Sequence, residues 1–186
     1  MTGGNIDKNA IEPFDPDKHD RTAFCCGVDQ VDNFFRKTAN KLAKADNTRI
    51  YVMVAPDGAT IGFSALNAHA IHYRELPGKY ARPRPANGSI PAAFLSMIGI
   101  DKRYAGQGYG GDLIADALLR IAQASERVGI VMVVLDVLDD GNPALVARRT
   151  ALYAAYGFQP LPSNPRRLFL PVATVRQFLR ESDGHF

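Results

Sequence analysis

The sequence predicts a mixed α+β chain built around one sheet, and three observations carry that reading. Ile50 to Val54 and Ile61 to Ala70 are two strand-like runs on either side of the turn Pro56-Asp57-Gly58, which makes a β-hairpin. Phe94 to Ile100 is an apolar run that leads through a glycine-dense turn into an amphipathic helix. Ile130 to Leu135 is a continuous apolar run, as expected of a strand buried on both faces. With 186 residues, 46% apolar and 22% charged, the chain suits one globular domain over 1–186 with a real core.

The elements follow in chain order. Residues 1–20 read as an irregular lead-in with one strand at most. Val28 to Ala45 is a predicted helix with Val31, Phe34, Phe35, Thr38, Leu42 and Ala45 at helical spacing, and with Asp29 near its N-cap. Arg36, Lys37, Lys41 and Lys44 occupy much of the rest of that helix. After the hairpin, Leu76 to Pro91 is rich in proline, glycine and arginine, so it forms a loop. A helix over Asp112 to Ser125 places Leu113, Ile114, Ala117, Leu118, Ile121 and Ala122 on one face. Gly129 to Leu138 contains the buried strand, and a helix from Pro143 to Tyr156 closes at Gly157 in the C′ position. Phe158 and Leu168-Phe169-Leu170 begin two final strands, separated by Pro160 to Pro165. Val172 to Arg180, within the tail 172–186, is a short amphipathic helix.

Composition narrows the function only slightly. A net charge of +3 is compatible with an anionic ligand such as CoA or RNA and equally with a solvated surface. The two cysteines, Cys25 and Cys26, are adjacent, which opposes disulfide geometry, and no second pair exists to build a metal site. They read as reduced thiols of a cytoplasmic protein that needs no metal. No secretory signal is visible at the start, and no apolar stretch approaches the roughly 20 residues that span a bilayer.

The chemistry concentrates in Arg103-Tyr104-Ala105-Gly106-Gln107-Gly108-Tyr109-Gly110. Gly106, Gly108, Gly110 and Gly111 let a backbone come close to a ligand, and the following helix start offers unpaired N–H groups and a positive dipole end. Such a turn favours phosphate oxygens, with Arg103 as a charged donor nearby. A Walker loop is excluded, because Gly111 is followed by Asp112 and Leu113 and not by Lys and Ser or Thr. A dinucleotide fingerprint belongs at the start of a βαβ unit, whereas here a helix and a hairpin precede the turn.

Arg103-x-x-Gly106-x-Gly108 resembles the Arg/Gln-x-x-Gly-x-Gly/Ala pattern of the GNAT superfamily of N-acetyltransferases. About 45 residues on, Leu152-Tyr153-Ala154-Ala155-Tyr156-Gly157-Phe158 resembles that family's Phe-Tyr-x-x-x-Gly-Phe segment. The resemblance implies a single GNAT-like domain: a mixed, mostly antiparallel sheet of six to seven strands flanked by helices and splayed at the acetyl-CoA strand. It implies that the turn Arg103 to Gly110 binds the CoA pyrophosphate, and that Met97, Ile98, Gly99 and Ile100 hold the pantetheine arm. Gly99 would mark an irregularity in that strand. The resemblance makes Tyr153 the general acid that protonates the leaving thiolate; a core aromatic is the alternative for it. Glu75, His69 and His72 are the candidates for a base acting through water.

A narrower resemblance covers about residues 20 to 171. Phe24-Cys25-Cys26-Gly27-Val28-Asp29 and the segment Gly157-Phe158-Gln159-Pro160 to Pro171 are similar to the entry and ending of the TacT/AtaT-type GNAT toxins. This implies acetylation of aminoacyl-tRNA, a homodimer, a ribbon-helix-helix antitoxin as partner, and no DNA binding by the chain alone. Arg36, Lys37, Lys41, Lys44, Arg82 and Arg84 become candidate tRNA phosphate contacts. Asp139 to Thr150 is longer than the toxin pattern leads one to expect. Two other readings stay open: a GNAT that acetylates a small-molecule or protein amine, and a non-catalytic acyl-CoA-binding module.

Overall fold

The computed structural model describes residues 9–82 and 86–183. Seven strands form one sheet in the order β1-β2-β3-β4-β5-β7-β6: β1 (Ala10–Pro13), β2 (Arg49–Val54), β3 (Thr60–His72), β4 (Ser89–Ile100), β5 (Met132–Asp136), β6 (Gln159–Leu161) and β7 (Asn164–Pro171). The helices are α1 (Asp29–Asn33), α2 (Ala39–Lys44), α3 (Tyr109–Ala124), α4 (Pro143–Ala155) and α5 (Val172–Asp183). The chain groups into two compact units. The first comprises the residues up to Ala65 together with Met97–Ile114, and the second Leu66–Ser96 together with the residues from Ala115 onward.

In the first unit, α1 and α2 are joined by a π-helical turn, Phe34–Thr38, which continues the helix without a break. Its wider ring carries the bond from Ala39 N–H to the Phe34 carbonyl. The extra residue rotates the inward face, so Val31, Phe35 and Ala39 are buried while Thr38 and Ala45 are exposed. This corrects the uniform spacing that had put Thr38 and Ala45 inside. Phe35 stacks on Phe63 of β3 at 4.2 Å, and Phe24 meets both edge-on. Asp29 is the first helical residue, not the cap; Val28 caps without a side-chain bond. The hairpin turns at Gly58, with φ +86° and its N–H donating to the Ala55 carbonyl at 2.8 Å.

In the second unit, β5 lies between β4 and β7. Its residues Met132 to Leu135 are buried, which explains the unbroken apolar run. It is parallel to β4, in register from Ala92 opposite Met132 to Phe94 opposite Val134, and antiparallel to β7 over its whole length. The β4 strand continues six residues past Phe94, to Ile100, beyond that register. Proline did not break the last hairpin. Pro160 lies in the edge strand β6, where a missing N–H costs no ladder bond, and only Pro162-Ser163 separate β6 from β7. Phe169, Met132, Val134, Ile71, Ile90 and Leu161 form the core beneath this half of the sheet.

Candidate active site

The first unit carries the phosphate turn. β4 ends at Ile100, and Asp101 caps a short 3-10 turn, Lys102–Tyr104, by accepting from Arg103 N–H at 3.0 Å. The Asp101 carboxylate is 1% exposed. It also accepts from Arg103 Nε at 2.8 Å, from Arg103 Nη2 at 3.2 Å and from Cys25 N–H at 3.1 Å. Burial opposes its ionisation, but these donors outweigh burial and hold the carboxyl below its ordinary value. Arg103 is therefore engaged by Asp101, and its guanidinium lies 5.6 Å from the Tyr104 ring centre. This pairing braces the turn. The signal was present: an Asp two residues before Arg is a short cap pattern.

Gly106 and Gly108 have φ of +80° and +89°, and nothing stands within 4 Å of where their Cβ atoms would be. The turn is open as well as left-handed. Helix α3 starts at Tyr109, three residues before the expected Asp112, so Gly110 and Gly111 belong to its first turn. The Gly108 carbonyl accepts from Gly111 N–H at 2.9 Å and from Asp112 N–H at 3.4 Å. By helix geometry Tyr109 and Gly110 have no intrahelical acceptor for their N–H groups. Ala105 and Gln107 are exposed alongside the glycines. Tyr104 and Tyr109, with Ile98 and Ile100, pack against Met53, Ile61 and Leu113, which seats the turn on the core.

Gly99 makes room for a neighbouring element. A Cβ there would stand 2.7 Å from Val31 Cγ1 and 3.1 Å from Phe63 Cε1, so the glycine admits α1 against β4. Met97 is half-buried on the same strand. Cys25 also accepts from Lys102 N–H through its carbonyl, at 2.8 Å. Its neighbour Cys26 donates its N–H to buried Asp32 at 2.7 Å, and Asp32 pairs with Arg36 at 3.2 Å. Both thiols are free, and burial, then the Asp32 carboxylate, push the Cys26 thiol up to about 12.

The second unit carries Tyr153. Asn142 caps α4, accepting from Ala144 N–H at 3.1 Å and Leu145 N–H at 3.4 Å, with Pro143 at the first helical position. The long segment Asp139 to Thr150 is thus a capping loop and the first half of a helix, pinned by Asp140–Arg149 at 2.8 Å and by Asp139 with Arg166. At the other end, Gly157 N–H donates to the Ala154 carbonyl at 2.9 Å, and Phe158 N–H to that of Tyr153 at 3.3 Å. Gly157 has φ +88°. Tyr153-x-x-x-Gly157-Phe158 is therefore a Schellman cap, completed by an edge-on contact of the Phe158 and Tyr153 rings at 6.0 Å. Tyr153 is 8% exposed, and burial pushes its phenol up to about 12, against a smaller pull from Arg149. Its hydroxyl has no hydrogen-bond partner among the described residues.

The other candidates divide. Lys37, Lys41 and Lys44 are exposed and form no ion pair among the described residues, whereas Arg36 is held by Asp32. Arg82 is exposed, and Arg84 lies outside the described residues. Glu75 and His72 are occupied as a cap: His72 N–H donates to Glu75 Oε1 at 3.1 Å and Arg74 N–H to His72 Nδ1 at 3.2 Å. The His69 ring lies 5.1 Å from that of Phe94. Among the described residues, no group of three or more His, Cys, Asp or Glu side chains is placed to hold a metal, and no helix is long and apolar enough to cross a membrane.

Over 180 residues the chain is 60% identical to a probable toxin TacT of Sinorhizobium fredii, covering 96% of this chain and 99% of the relative. The chain belongs to the TacT/AtaT-type GNAT acetyltransferase toxins. A tRNA-acetylating toxin of Mycobacterium tuberculosis is 28% identical over 163 residues, 88% of this chain and 92% of that one. No family model matches the chain. Among solved structures, a tyrosine-to-phenylalanine mutant of KacT has the same fold, with a TM-score of 0.81 at 24% identity over 92% of this chain and 99% of that chain. AtaT complexed with acetyl-methionyl-tRNAfMet gives a TM-score of 0.79 at 24% identity, with the same coverage. As a GNAT acetyltransferase toxin, the chain is an acyltransferase with a mixed α+β fold.

Proposed function

We propose that this acetyltransferase moves an acetyl group from acetyl-CoA to the α-amine of aminoacyl-tRNA, and thereby blocks translation. The observation that carries the reading is the 60% identity to a probable toxin TacT over nearly the whole chain. The name of the mycobacterial relative points to the same acceptor. AtaT has been solved with acetyl-CoA and its antitoxin AtaR. An antitoxin, of the ribbon-helix-helix type by resemblance, is accordingly the expected partner, with a homodimer as the assembly and the cytoplasm as the location.

The residues present fit acetyl-CoA. Two left-handed glycines with open space above them precede a helix N-terminus, a combination that suits a pyrophosphate. Bound there, acetyl-CoA supplies an acetyl group activated as a thioester. In this reading Gly106 to Gly110 hold the phosphates, Arg103 keeps the turn in shape through Asp101, and Met97 to Ile100 line the arm. Tyr153 holds a proton on its phenol oxygen at any physiological pH, ready for a sulfur that departs with the C–S bond's electrons. The incoming amine must be neutral to attack; as the C–N bond forms and the C–S bond breaks, Tyr153 gives its proton to sulfur and the nitrogen's surplus proton passes to water, which restores the phenol.

The test is incubation of the purified protein with radiolabelled acetyl-CoA and charged tRNA. Label on the aminoacyl group, with growth arrest on induction, is the expected result. Label on a small-molecule or protein amine instead, with normal growth, overturns the acceptor. No transfer to any amine makes the chain an acyl-CoA-binding module.

A further inference from the structure

The connection between β3 and β4 holds an arrangement that the sheet does not require. His72 caps the 3-10 turn Tyr73–Glu75, and a second 3-10 turn, Gly78–Tyr80, follows at once. Buried Leu76 and Ala81 anchor the segment, and Tyr73 N–H donates to the Gly88 carbonyl at 3.0 Å. Gly88 has φ +73°, and a Cβ on it would stand 2.3 Å from His72 Nε2, so the two ends of the connection are packed tightly together. Residues 73–81 thus form an anchored platform.

What it presents is a set of cations beside aromatic rings, with Arg74 Nε also donating to the Tyr73 hydroxyl at 3.4 Å. The Arg74 guanidinium lies 5.8 Å from the Tyr73 ring centre, and the Lys79 ammonium 4.7 Å from that of Tyr80. Arg74, Lys79 and Arg82 are exposed and form no ion pair among the described residues. Tyr80 is also tied to the catalytic helix's cap. Its hydroxyl oxygen accepts from Gln159 Nε2 at 3.3 Å, and Gln159 follows Phe158, whose ring meets that of Tyr153. Solvated surface cations need no such support.

Unpaired nucleotides are bound by stacking on aromatic rings and guanidinium planes, with cations tracking the phosphates. The amine of a charged tRNA is carried on the terminal ribose of an unpaired 3′ end, so that end must come to Tyr153. We propose that the Tyr73–Arg82 platform seats the single-stranded 3′ end of the acceptor RNA, with the Tyr73 and Tyr80 rings against bases and Arg74, Lys79 and Arg82 on phosphates. This rests on aminoacyl-tRNA being the acceptor. It adds where the unpaired end lies, and it makes the platform a determinant for single-stranded RNA and not for the duplex stem.

The test compares wild type with Arg74→Ala/Lys79→Ala, whose exposed side chains can be removed without opening the core, and with Tyr80→Phe, which removes the hydroxyl's bonds to Gln159 and Lys79 and keeps the ring. Acceptors are charged tRNA and a short oligoribonucleotide aminoacylated at its 3′ end. The double variant is expected to raise KM by about tenfold or more for both acceptors. It should also flatten the salt dependence by about 1.4 in slope, for two lost single-strand phosphate contacts. KM for acetyl-CoA stays unchanged. Equal KM values in wild type and variant overturn the platform, and a loss confined to whole tRNA assigns these cations to the stem. If wild type acetylates neither acceptor, the proposed function fails; binding of an uncharged oligoribonucleotide ending in CCA, followed by fluorescence anisotropy, then decides the platform alone. Weaker binding by the double variant supports it, and equal binding overturns it.

Discussion

A phenol pushed up to about 12 is, in water, too weak an acid to protonate a thiolate, since a thiol titrates near 8.5. The burial that raises Tyr153 also destabilises a thiolate brought beside it, so the proton affinities of the two atoms converge where water is excluded. Tyr153→Phe separates this role from structure, because the ring that completes the α4 cap against Phe158 is retained. We expect kcat to fall by about 10²–10⁴ with KM for acetyl-CoA within twofold and thermal stability unchanged, as measured by steady-state kinetics and melting. A variant as active as wild type removes Tyr153 from the chemistry. The pH profile carries a second sign. Tyr153 stays protonated through the accessible alkaline range, so it contributes no loss of rate below about pH 11. The acid limb should follow deprotonation of the acceptor amine, near 7.7–8.0 for an α-amine.

The phosphate turn is an element whose shape depends on a residue outside its motif. Asp101 joins Arg103 to Cys25, and Cys26 joins Asp32, so the turn and α1 are held by two carboxylates that their donors keep ionised. A depressed carboxyl stabilises the fold above its unfolded value and loses that contribution as pH falls through its folded value. For Asp101 the loss therefore lies below about pH 4. Asp101→Asn should cost about 2 kcal/mol at pH 7, because a charged acceptor of buried N–H groups is replaced by a neutral one. The difference should shrink in acid. Urea melts at pH 7 and pH 3 check this, and equal gaps at both would exclude an electrostatic origin. The variant should also raise KM for acetyl-CoA more than it lowers kcat. At this scale the sequence was legible wherever one neighbour sets the geometry. The inward face of α3 and the Gly157 cap are set within a turn of helix, and both stand as read. The π-helical turn at Phe34–Thr38 was not legible, since nothing local distinguishes the Phe34-Phe35 pair from an ordinary helical stripe. It is stabilised by the stack of Phe35 on Phe63, a residue of another element.

Across the whole molecule, a net charge of +3 hides an uneven distribution. Ion pairs engage arginines such as Arg103, Arg149 and Arg167, while Lys37, Lys41 and Lys44 have no such partner among the described residues. These three lysines are therefore the better candidates for RNA phosphates, and Arg36, held by Asp32, the weaker one. Replacing all three by Ala should reduce the slope of log K against log salt by about 2–3 for charged tRNA. Arg36→Ala should change it less. A triple variant with the wild-type slope would show that this helix faces solvent in the complex.

By itself, the sequence determined the element order, the glycine turn, the capped tyrosine and the family, because each depends on residues close together in the chain. Tertiary structure decided that β5 pairs in parallel with β4 and antiparallel with β7, that Pro160 is tolerated at a sheet edge, and that Asp101 and Cys25 brace the turn. Those outcomes depend on partners as much as 76 residues apart, as for Cys25 and Asp101. Spacing along a chain does not report such a contact; only burial of both partners against a common neighbour does.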